Sequence, residues 1–216
     1  MLRPHLVTGA LLLVVFGAGP ANADILYDNL SNASSGAYPG NFERAASFST
    51  DANIYSLTTV ILDLGQAIAG GDFVVALDSS SIGSNPVPDG DIAVLGTFAD
   101  SSLSASPSDY VVNVSPEILL TPDTRYWIVV RGTSSDDFDW AAAKDASGTG
   151  VSGEYWATFS DGAWTSDANS SALPPPVMQV DADLVAPVPE PSAMPVLMAA
   201  LAGWAAFRLR SRVFGR

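Results

Sequence analysis

The sequence contains no cysteine and only one histidine, His5. Without thiols there can be no disulfide, no cysteine nucleophile and no thiolate metal ligand. Basic residues are scarce: nine Lys and Arg stand against 23 Asp and Glu, for a net charge of -14. An acidic surface of this kind repels nucleic acid and anionic lipid, so neither is an expected partner. Long apolar runs are also missing from the middle of the chain, and the two that exist stand near its ends. Before residue 192 there is no long segment of helical period.

The first apolar run fits a secretory signal peptide. Arg3 and His5 form a small positive segment, Leu6–Phe16 is mostly apolar, and Ala21-Asn22-Ala23 supplies the small-x-small cleavage pattern. Cleavage after Ala23 makes Asp24 the first mature residue. His5 leaves with residues 1–23, so the mature chain has no imidazole. A Ser-His-Asp triad, a Cys-His pair and His/Cys zinc sites are therefore excluded. The exported compartment permits disulfides, but the chain has none, and stability must come from a hydrophobic core.

Residues 24–185 are long enough for one domain. Between Asp24 and Pro189, 22 acidic residues against Arg44, Arg125, Arg131 and Lys144 leave the body at -18. Runs rich in Val, Ile, Tyr, Phe, Trp and Thr fall at 25–30, 44–50, 54–64, 72–78, 91–98, 109–114, 125–131, 137–143, 154–159 and 177–185. Most are separated by Gly, Pro, Asn, Asp and Ser clusters. In 109–114, Tyr110, Val112 and Val114 share one face. The runs at 54–64 and 125–131 are nearly continuous, which suits central strands or strands covered on both faces. The pattern predicts an all-β fold, an antiparallel β-sandwich or jelly roll. Leu120-Thr-Pro122-Asp-Thr124-Arg-Tyr126 resembles the corner of fibronectin-type sandwiches. The Tyr126 hydroxyl either bonds the corner backbone or belongs to an ordinary core tyrosine.

The C-terminal run completes the organisation. Residues 186–191 form a stiff proline-rich linker. Within residues 192–207, Ala193–Phe207 is mostly apolar; as a helix it would reach roughly 22 Å, short of a hydrocarbon core of about 30 Å. Arg208, Arg210, Arg212 and Arg216 follow in the basic tail, residues 208–216. Basic residues stay cytoplasmic, so the body would face outward, held by a helix suited to transient anchoring.

Val188-Pro189-Glu190-Pro191-Ser192, an apolar helix and then arginines resemble the PEP-CTERM sorting signal. That resemblance implies export by a Gram-negative bacterium that makes extracellular polysaccharide. It also implies an inner-membrane intermediate, processing by exosortase, and release to the cell surface or extracellular matrix. Pro189, Glu190 and Pro191 would be the residues recognised by exosortase. The body is similar to the choice-of-anchor R type of extracellular domain, through TPDTRYWIVV, DFDWAAA, SGEYWATFSDGAWTS and PPPVMQVDA. This implies a surface-displayed β-sandwich and carries over no chemistry.

Three sets of residues are candidates for binding or catalysis. Asp136, Asp137 and Asp139 are read first as a solvated acidic turn and alternatively as a calcium site; no cofactor is expected, and calcium is the one candidate; Asp89-Gly90-Asp91 is read chiefly as a turn. Trp127, Trp140, Trp156 and Trp164 are core residues or sugar-stacking rings. Trp127 is expected in the core and Trp164 is the best candidate for ligand contact. Carboxylate pairs would serve glycoside hydrolysis only in a cleft with one raised pKa. These readings give two leading functions, neither an enzyme: a structural surface or matrix protein, and a surface module that binds extracellular polysaccharide.

Overall fold

The computed structural model describes residues 23–185, apart from 40–42, 67–69, 134–137 and 171–173. The cleavage residue Ala21, the linker, the sorting motif from Val188, the expected helix at 192–207 and the basic tail lie outside the described residues. Among the described residues no helix is long and apolar enough to cross a membrane.

Twelve strands make up the described body. They are β1 (Asp24–Asp28), β2 (Ala33–Pro39), β3 (Glu43–Ser49), β4 (Tyr55–Gly65), β5 (Asp72–Ser80) and β6 (Pro88–Ala99). Then follow β7 (Ser108–Leu120), β8 (Arg125–Gly132), β9 (Asp139–Ala143), β10 (Tyr155–Ser160), β11 (Ala163–Ala168) and β12 (Met178–Leu184). The first sheet runs β1-β12-β4-β9-β2, with β7 also paired to β4. The second runs β11-β10-β3-β8-β5-β6. All of these strand pairs are antiparallel. The all-β, antiparallel expectation is therefore met, as two six-stranded sheets.

One core joins the sheets. Leu57, Val60, Leu62, Leu64, Met178 and Val180 enter it from the first sheet, and Phe48, Phe73, Val75, Leu77, Ile128 and Val130 from the second. Alternation places Val60, Leu62 and Leu64 of β4 and Ile128 and Val130 of β8 on the core face, and an irregularity in β4 between Leu57 and Thr59 returns Leu57 to the same side. Each fully buried aliphatic or aromatic side chain contributes about 1.5–3 kcal/mol relative to exposure, the source of stability that a cysteine-free chain must use. Trp140 is wholly buried, and its Nε1 donates to the Val177 carbonyl at 2.8 Å. β8 is covered on both faces, since Trp127 and Val129 are also fully buried beside Ala45 and Ala157.

The corner before β8 has the bonding that its sequence suggested. Asp123 adopts φ 48, and the Thr121 N–H donates to the Tyr126 hydroxyl at 2.8 Å. Two strands were not anticipated, β2 and β11. β11 is joined to β10 through Asp161 and Gly162, both at positive φ (51 and 79), with Ser160 opposite Ala163. Two left-handed central residues define the tight hairpin turn that Asp-Gly favours. Asp89-Gly90-Asp91 proves to lie inside β6, where Gly90 (φ 97) occupies an irregular stretch of the β5–β6 ladder instead of closing a turn.

Two features of β1 position the ends of the body. Asp24 pairs with Ala182, so the chain enters and leaves at the same end of the first sheet. The turn at 148–150 is pinned on β1 by paired bonds of 2.9 Å between Asp28 and Thr149. A Cβ on Gly150 would stand 2.1 Å from the Leu26 carbonyl, so only glycine admits this approach.

Candidate functional site

The second sheet has an outer face that is unusually closed. Its middle row is Ala45, Val129 and Ala157, each with no exposed surface. Polar and aromatic side chains rise on either side of this floor.

On one side stands Arg131. The β3–β8 register, with Arg44 opposite Val130, brings Glu43 beside it; Val74 lies opposite Arg131 and Asp78 opposite Trp127, so the Arg131 side chain reaches along the strands to Asp78 and to Asp91, which pairs with Asp78. Arg131 Nε donates to Glu43 Oε2 at 3.0 Å. Its Nη2 donates to Asp78 Oδ2 at 2.9 Å and to Asp91 Oδ1 at 2.6 Å. Asp78 is only 2% exposed. Burial pushes its pKa up to about 6; Arg131 pulls it down, while Asp91 and Glu43 push it back up. The acid with the raised pKa is one member of this ionic cluster.

A second ionic group closes one end of the face. Glu154, nearly buried, accepts from the hydroxyls of Ser47 and Ser49 and from Arg125 Nε at 3.0 Å. The Arg125 guanidinium lies 4.9 Å from the Tyr155 ring centre. Tyr155, Phe159 and Trp164 form a half-buried aromatic row on the same face, with Phe159 and Trp164 edge to face at 5.4 Å.

The four tryptophans thus divide. Trp127 and Trp140 are core residues, Trp127 donating to Ser80 Oγ at 3.1 Å. Trp156 is half-buried and stacks on Tyr38. Trp164 is also half-buried and rests on the Ala45–Ala157 patch, so it is one member of a packed row rather than a free-standing ring. Of the calcium candidates, Asp136 and Asp137 lie outside the described residues, and Asp139 sits in β9 opposite Pro39. Among the described residues no group of three acidic or histidine side chains could hold a metal ion. A separate cleft of about 430 Å³ opens where β1 begins, lined by Asp24, Asp51, Tyr55 and Gly150 among others.

Sequence reasoning missed the Arg131 cluster altogether, because Glu43, Asp78, Asp91 and Arg131 are far apart in the chain and only strand register unites them. β11 did have a signal, the Asp161-Gly162 pair between two aromatic runs.

No family model matches this chain, and no curated protein matches it. Among solved structures, the chain is similar to one described as the structure of infectious bursal disease virus Gx strain, at 14% identity and a TM-score of 0.25. That match covers 87% of this chain and 48% of the other, so this chain spans about half the length of that one. A likeness so slight carries no argument about fold or function.

Proposed function

We propose that this chain is a structural protein of the cell surface or extracellular matrix of a Gram-negative bacterium, exported and then sorted by exosortase. One observation carries this reading. Val188-Pro189-Glu190-Pro191, an apolar run, and Arg208, Arg210 and Arg212 stand in order behind a β body whose last strand ends at Leu184. The apolar run holds the precursor in the inner membrane while exosortase acts, and the body serves as a displayed module without a catalytic role. The test is Glu190→Ala in the full chain, expressed in a host with exosortase. The expected outcome is an unprocessed, membrane-retained precursor; release with the wild-type mass refutes the sorting reading.

The half-exposed row of Tyr155, Phe159 and Trp164 favours a second reading, a surface module that binds extracellular polysaccharide. Stacking on such a row is sequence-tolerant and apolar, and Trp is its strongest member. In that reading Trp164→Ala removes at least about tenfold of the affinity for a neutral glycan, measured by affinity electrophoresis, with the thermal midpoint little changed.

A further inference from the structure

We propose that Arg44 and Trp156 form a binding site for a carboxylate group, at the corner where β2 of the first sheet meets β10 of the second. The register puts the parts together. Thr158 lies opposite Arg44 and Trp156 opposite Ala46, so Arg44, Thr158 and Trp156 share the inward side of β3 and β10. Tyr38 reaches them from β2, its ring stacked on Trp156 with centres 5.2 Å apart and planes at 22°. The Arg44 guanidinium lies 5.2 Å from the centre of the same Tyr38 ring.

The donors here exceed the acceptors. Arg44 is only 9% exposed, and its Nη1 donates to Thr158 Oγ1. Its Nε is buried without an acceptor, and so is the indole Nε1 of Trp156. The Tyr38 hydroxyl supplies no relief, because it donates to the Pro174 carbonyl at 2.6 Å. No ion pair to Arg44 forms among the described residues, in a body where acids outnumber bases 22 to four. Burial accordingly pulls the Arg44 pKa below its usual value.

A buried guanidinium with no counter-ion among the described residues is unfavourable, and two buried N–H groups without acceptors add to the cost. The Tyr38 ring attracts the cation but provides no lone pair for Nε. The missing component is a planar anion with two acceptor oxygens. A carboxylate carries two acceptor oxygens, as many as there are orphan donors here. Polyanions are disfavoured by the -14 charge of the chain, so the fitting ligand is a small organic or sugar acid. This site is separate from the outer face of the second sheet and does not depend on sorting.

The test is nuclear magnetic resonance on the full chain in a zwitterionic detergent. The Trp156 indole N–H, assigned through Trp156→Phe, is followed during titration with sodium acetate, sodium glucuronate and neutral glucuronamide, with sodium chloride holding ionic strength constant. Acetate and glucuronate are expected to move that signal saturably, with glucuronamide inert. Tighter binding of glucuronate extends the site to the sugar ring, and equal binding confines it to the carboxylate; both uphold the proposal. Arg44→Gln is expected to weaken binding about tenfold or more, with the remaining indole signals still dispersed. If Arg44→Gln unfolds, the Arg44 Nε–H signal of Trp156→Phe serves instead, and it should still respond to acetate but more weakly. An equal response to glucuronamide, or no saturable response to either acid, overturns the proposal.

Discussion

Two arginines of the second sheet lie in opposite circumstances. Arg131, on the outer face, has Glu43, Asp78 and Asp91. Arg44, in the adjoining strand β3 but turned toward the first sheet, has no carboxylate among the described residues. Supply does not explain the contrast, because acids are abundant throughout the body. The difference is the face. Outside, acidic positions of three strands lie within reach of one long guanidinium side chain. Inside, among the described residues, Arg44 meets the Tyr38 ring and the Thr158 hydroxyl. An arginine with too many partners behaves as a staple, and one with too few behaves as a receptor.

The comparison breaks first at Arg131. Replacing it with Met leaves three carboxylates facing one another, one of them buried. The expected loss is roughly 2–4 kcal/mol, less than for a fully buried ion pair because Glu43 and Asp91 are partly exposed. For a domain of this size the thermal midpoint should fall by roughly 6–12 °C in calorimetry. A fall within experimental error would mean that the cluster is electrostatically idle.

Arg44→Met is expected to act with the opposite sign. It removes a buried cation that has no carboxylate among the described residues and supplies apolar bulk, so stability should rise by about 1 kcal/mol, read from the urea midpoint at constant slope. A clear loss would show that stacking on Tyr38 and the bond to Thr158 already satisfy Arg44.

A pH dependence sharpens the outer face. The folded-state pKa of Asp78 is about 6, against about 3.9 in the unfolded chain. Between those values the unfolded state binds fewer protons, so this group makes stability fall as pH rises from about 4 to 6. Asp63 is raised by burial and by Asp109 and acts in the same direction, whereas Asp100, lowered chiefly by the Gly71 N–H, acts oppositely. Asp78→Asn should remove its own contribution alone, visible as a flatter difference curve in thermal midpoints between pH 4 and 7. An unchanged curve would show that Asp78 is ionised throughout.

Much of the fold was legible in the sequence because burial and β propensity act on the same side chains. β4 and β8 declare themselves through runs of Val, Ile, Leu and aromatics. β2, ASSGAYP, does not, since Ser, Gly and Pro carry no strand signal. It is ordered by pairing with β9 and by the stacking of Tyr38 on Trp156. The site was less legible for a related reason. Ion pairs across strands depend on register, and register follows from bulges such as those in β6, which no local run of residues announces. Arg44 was one of four basic residues in an acidic body, and nothing in its neighbours marked it as unpaired.

The position of β12 has a mechanical consequence. It lies between β1 and β4, and the chain leaves at its end. Tension applied beyond Leu184 runs along the axis of β12, whereas antiparallel ladder bonds stand across that axis. The bonds on both edges are therefore strained together and must shear as a set, instead of opening one after another like a zip. A body gripped in this way resists being pulled out of its own fold by tension applied beyond Leu184.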